Sequence, residues 1–176
     1  TTEGDPMRGR VMEVAVIALD GTAERLRWET LVNPGQRVTW FSRRLTGIDD
    51  RMLRHAPRFH EVANAIATLT QDRIVVAHNA RFDITALAHE FARTGLPLRR
   101  DALCTERLAR RLAPGLAHHN LASMCRHYGI PFPTAHRAMA DAEATAALLR
   151  RMMAESDQET ILGMGMAVPD PRALRA

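Results

Sequence analysis

Two short polar segments of this chain carry residues that could do chemistry. His78-Asn79-Ala80-Arg81-Phe82-Asp83 follows directly on the apolar run 74–77, which places Asp83 at a strand end just before a helix. His136-Arg137-Ala138-Met139-Ala140-Asp141 sets a histidine and an aspartate five positions apart, the aspartate near the start of an alanine-rich stretch. Either aspartate alone reads as a first-turn acid favouring a helix dipole, an effect of about 0.3–1 kcal/mol. Two such carboxylates converging on one cleft repel, and the natural remedy is a divalent cation. A histidine beside them titrates near neutrality and could take a proton from water bound to that cation.

The background composition narrows the alternatives. A length of 176 residues suits one domain with a proper core. Every one of the 24 basic side chains is an arginine, so a Schiff-base lysine, a phosphate-loop lysine and a Ser–Lys dyad are all excluded. The formal charge is +4. A guanidinium excess suits phosphate contact, and it equally suits a plain compositional bias toward arginine. Cys104 and Cys125 are the only cysteines and form no CxxC, so neither a zinc site nor a disulfide framework is expected. No run of about 18 apolar residues exists and residues 1–5 form no export signal, which predicts a soluble, cytoplasmic protein with no membrane partner.

The elements that must hold these residues follow from periodicity. Residues 11–19 and 26–32 read as two antiparallel strands with Asp20-Gly21 as turn. A long polar segment runs from Asn33 through Arg58. A helix from Phe59, a strand over 74–77, a helix over 84–93 and a short strand over 102–104 come next. Stretches 106–112, 121–128 and 138–153 read as helical, the last of them the strongest because alanine propagates helices well. Strands first, then strands alternating with helices, predict an α/β domain whose mixed central sheet is flanked by helices.

Read together, the chain resembles the DEDDh family of 3′–5′ exonucleases on a ribonuclease H-like fold, the group that includes ribonuclease T and, with the greater likeness, the proofreading epsilon subunit of bacterial DNA polymerase III. HNARFD at 78–83 resembles the family's second motif, and HRAMAD at 136–141 its third in the histidine form. Residues 10–16 and 31–34 are similar to its second and third strands, 44–48 to the loop that leans on the terminal nucleotide, and 104–111 to the epsilon-like branch. The resemblance implies that Asp83 and Asp141 bind metal, two Mg²⁺ or Mn²⁺ ions being expected, and that His136 is the general base. It also implies that Thr46 and Phe82 flank the terminal sugar and base, and that Thr1 and Thr2 hold the 3′ end. Single-stranded 3′ ends of DNA are the implied substrate, a polymerase subunit a possible partner. Arg43-Arg44, adjoining Thr46, is the arginine pair best placed for phosphate, whereas His118 and His119 read as loop residues without a metal role.

One departure stands out. The family's first motif is Asp-x-Glu followed by Thr-Thr, and this chain begins at Thr1-Thr2, so that pair and its strand are expected upstream of Thr1. Glu3 and Asp5 follow the threonines and do not substitute. The domain is accordingly expected to be N-terminally incomplete over 1–154, with 155–176 a tail or linker. RNA 3′-end trimming, or a dead nucleic-acid-binding or polymerase-associated module, are the alternative readings.

Overall fold

The protein was analysed as a computed structural model that describes residues 1–96, 98, 101–157, 161, 163, 166 and 167. Strand β1 (Glu13–Asp20) pairs antiparallel with β2 (Ala23–Leu31), Val16 facing Trp28. The turn between them needs Gly21 at φ +59, a left-handed conformation that costs glycine little. β2 starts at Ala23, three residues before its apolar alternation becomes visible.

The long polar segment through Arg58 contains two short helices, α1 (Trp40–Thr46) and α2 (Asp50–Leu53). Each is set by its cap. Thr39 Oγ1 accepts from Ser42 N at 3.2 Å and Asp49 Oδ1 from Met52 N at 3.0 Å, while Gly47 at φ 72 stops α1 in the left-handed region. Helices of one or two turns are too short to show a period. α3 (Phe59–Leu69) buries Phe59, Val62, Ala63 and Ile66, and Glu61 reaches back to Arg58 N at 2.7 Å.

The rest is a strand–helix alternation. β3 (Val75–Ala77) leads into α4 (Ala80–Arg93), then β4 (Asp101–Cys104) parallel to β3, α5 (Thr105–Leu112), α6 (Leu121–His127), α7 (Ala138–Glu155) and β5 (Met166–Ala167) antiparallel to β4. Two expectations need correction. α4 starts at Ala80, not at Ile84, so Asp83 lies inside the first turn. The stretch after 155 is not wholly a tail, because β5 pairs with β4 and Ile161 is buried in the core. Residues 158–160, 162, 164–165 and 168–176 of that stretch lie outside the described residues.

The described strands form two ladders, β1–β2 and the mixed β3–β4–β5, with helices packed against them, which is the expected α/β architecture. α7 packs against both β1 and β3 and so bridges them. Each side has its own core: Val11, Val14, Val32, Ile66 and the edge-to-face pair Phe59–Phe91 (5.2 Å) on one, Leu103, Leu108, Met124, Leu148 and Met152 on the other. A buried charge pair anchors the first. Glu90 of α4 is 2% exposed and receives Arg10 Nε at 2.6 Å, Arg10 Nη2 at 3.0 Å and Val11 N at 3.1 Å. Glu90 sits two turns along α4 from Asp83, so it ties the helix that carries Asp83 to the strand that enters the hairpin.

Candidate functional site

Both candidate segments turn into their helices through a left-handed residue. Asn79 (φ 63) precedes α4, and His136 (φ 65) stands two residues before α7. Asparagine and histidine tolerate this region better than most side chains, though it still costs a non-glycine residue free energy. The first bend is pinned by His78, whose Nε2 lies 2.8 Å from the His119 carbonyl oxygen and whose Nδ1 lies 3.0 Å from Thr105 Oγ1. A carbonyl only accepts, so Nε2 carries the proton and Nδ1 accepts from the threonine. Burial holds His78 below the ordinary histidine pKa, in keeping with this neutral form. His119 Nε2 in turn donates to Ala113 O at 2.9 Å, which makes it a structural strut.

The second bend is built around Glu13. Its carboxylate, 9% exposed, accepts from Arg137 Nη2 at 2.7 Å and Nε at 3.1 Å, and from Ala138 N at 2.7 Å. It thereby caps α7 from outside, since Arg137 makes no side-chain cap of its own. The capped turn presents Asp141, whose Oδ1 accepts from His136 N at 3.2 Å. Glu13 was missed in the sequence, although an acid inside the apolar run 11–19 signals a buried charge that must have a partner. Glu13→Gln keeps size and one acceptor, and is expected to cost about 1.5–3 kcal/mol, the worth of hydrogen bonds to a charged group. Urea midpoints at unchanged slope check this.

Asp83 and Asp141 are brought together. Asp83 reaches solvent yet is crowded by protein on its other sides, and that crowding pushes its carboxyl up to about 7, against a backbone hydrogen bond and the nearby Thr1 amino group, with Asp141 raising it further. Asp141 is likewise raised, first by burial and then by Glu13, against its bond to His136 N and the His136 ring. Neither forms an ion pair among the described residues. Because the folded-state pKa of Asp83 lies above its ordinary value, the folded protein holds a proton that the unfolded chain releases, and stability falls as pH rises from about 4 to about 7. Asp83→Asn should therefore raise the melting temperature in EDTA at pH 8 and leave it unchanged at pH 4, as differential scanning fluorimetry would show. A divalent cation offers the wild type the same relief, so the donor chemistry fits a metal. No third His, Cys, Asp or Glu completes a ligand cluster among the described residues.

The remaining candidates divide. Thr1 lies beside Asp83 and Glu13. Thr2 is fully buried: its Oγ1 accepts from Arg10 N at 2.9 Å and Gln36 Nε2 at 2.7 Å. Thr46 is half-buried, donating to Ser42 O at 2.8 Å and accepting from Ile48 N at 3.1 Å, which stiffens the end of α1. Phe82 is half-buried beside Asp83 in the first turn of α4. Arg43 lies 3.8 Å from Asp49, and the Arg44 guanidinium lies over the Trp40 ring. A surface recess of about 460 Å³ lined by Asn33, Gln36, Asp50 and Arg54 lies elsewhere, and neither aspartate of the candidate site lines it.

Residues 1–149 match the exonuclease family. The chain belongs to that family. Among its relatives is the DNA polymerase III epsilon subunit of Aquifex aeolicus, 30% identical over 153 residues that cover 86% of this chain and 75% of the relative. The PolC-type DNA polymerase III of Halalkalibacterium halodurans is 33% identical over 92% of this exonuclease-family chain, which spans only 11% of that polymerase. In three dimensions the chain is similar to exonuclease X, solved in complex with 5′-overhanging duplex DNA, at a TM-score of 0.71 and 25% identity over 90% of this chain and 92% of that one. No described helix is long and apolar enough to cross a membrane.

Proposed function

We propose that this chain is the catalytic domain of a 3′–5′ exonuclease that removes nucleoside 5′-monophosphates from DNA 3′ ends. The observation that carries the reading is the meeting of Asp83 and Asp141, neither in an ion pair among the described residues, beside the left-handed His136 turn. Asp83 and Asp141 would hold Mg²⁺ or Mn²⁺, which supplies charge neutralisation at the attacking and leaving oxygens when bound. His136 takes a proton from the attacking water as general base. Its backbone N–H holds Asp141 in place meanwhile. Phe82 and Thr46 flank the terminal nucleotide, and Thr1 borders the reacting phosphate. Likeness to epsilon and PolC-type proteins supports a place beside a polymerase.

The test uses the full-length gene product with Mg²⁺ and single-stranded DNA labelled at either end. A 3′ label should leave first as a mononucleotide, while a 5′ label stays on a ladder of shortening products. Internal cuts, or degradation of matched RNA with DNA left intact, would contradict the DNA assignment.

A further inference from the structure

We propose that α1 carries a stacking platform for unpaired bases just upstream of the 3′-terminal nucleotide, centred on Trp40 and completed by Phe41 and Arg44. The proposal rests on the exonuclease reading and adds to it how the single strand is held beyond the cleft. Trp40 is 72% and Phe41 57% exposed, adjacent aromatic rings turned to solvent on one short helix. Large aromatic side chains seldom stand so bare without a partner to cover them. The Arg44 guanidinium sits 5.5 Å from the Trp40 ring centroid, so a flat cation and a flat aromatic surface are already assembled side by side. Arg43 adds a second exposed cation, 3.8 Å from Asp49 beyond the end of α1, and α1 itself contains no acid.

Position selects the occupant. The residue before Trp40 is Thr39, whose Oγ1 donates to the Thr2 carbonyl oxygen at 2.9 Å. Thr2 follows Thr1, which lies beside Asp83. The other end of α1 is Thr46, capped by Gly47. The platform is therefore tied through Thr39 to Thr2, beside the candidate cleft, and Ser42 and Thr2, both hydrogen-bonded to Thr39, are buried. Aromatic faces flanked by guanidinium groups bind single strands of any sequence, because every base has a π face and every nucleotide a phosphate. A protein surface would cover the aromatic rings equally well but gives no account of the Arg44 guanidinium already lying over the exposed Trp40 ring.

The measurement is fluorescence anisotropy in EDTA, where no cleavage occurs, with fluorescein-labelled (dT)12 and (dT)2 and the full chain. Trp40→Ala should weaken (dT)12 binding roughly 5- to 100-fold, the scale of one lost base stack, and leave (dT)2 unchanged. Trp40→Phe should recover most of the affinity. Arg44→Ala should lower the dependence of log Kd on log salt by about one, whereas Trp40→Ala should not change that slope. Unchanged (dT)12 affinity in Trp40→Ala overturns the platform while leaving the exonuclease reading intact, and a change in sedimentation of that variant would then assign the face to a protein partner. Failure of the wild type to bind either oligonucleotide overturns both.

Discussion

Asp141→Asn in the full-length gene product should lower the rate of 3′-end hydrolysis by on the order of 10³-fold, the scale on which single electrostatic groups act on a transition state. The substitution removes one negative charge and little else. Asparagine retains an oxygen at the place where Asp141 Oδ1 accepts from His136 N, so the left-handed turn and the start of α7 should persist. Glu13 continues to cap that helix through Ala138 N. Circular dichroism should therefore match the wild type, while release of a 3′ label with Mg²⁺ all but stops. Equal rates for variant and parent would remove Asp141 from the reaction.

Glu90→Ala is expected to be the most destabilising single change, at about 3–5 kcal/mol, because it leaves the partly buried Arg10 guanidinium and the buried Val11 amide without their partner. Glu90 is 2% exposed, and three donors converge on it: Arg10 Nε, Arg10 Nη2 and Val11 N. Methyl in place of carboxylate also opens a hole beside Phe91 and Val11, which belong to the same core. Against the ordinary stability of a domain, about 5–15 kcal/mol, this loss is a large fraction. Equilibrium urea unfolding should show it as a fall in midpoint. A double variant, Arg10→Met with Glu90→Leu, removes both charges together and should recover much of the loss, since a buried ion pair is worth little over a packed apolar pair. If Glu90→Ala unfolds at the wild-type midpoint, the pair does not tie α4 to the hairpin.

Most of this architecture can be read along the chain, for reasons that differ by element. β1, α3 and α7 are long enough for their apolar periods to stand out, and the two acids at helix starts are visible as His-x₄-Asp segments. α1 and α2 are not visible, because one or two turns hold too few apolar positions, and only Thr39 and Asp49 as caps mark them. The start of α4 at Ala80 is masked by Asn79, which reads as a loop residue but adopts the left-handed bend that launches the helix. β5 escapes notice because two residues in a Gly- and Pro-rich stretch show no alternation, and only pairing with β4 makes them a strand. Within the site, Asp83, Asp141 and His136 are legible from type and spacing. Glu13, Glu90 and His78 are not, because each acts through a partner tens of positions away, as Arg137 lies 124 residues from Glu13.

The central claim is that Asp83 and Asp141 form the ligand side of a divalent-metal nuclease site, and Mn²⁺ binding followed by electron paramagnetic resonance tests it without relying on turnover. For the full-length gene product at pH 8, the free Mn²⁺ signal should fall on titration with protein. Asp83→Asn or Asp141→Asn should weaken that binding at least about tenfold. Binding of equal strength in wild type and both variants would place the metal elsewhere and contradict the account.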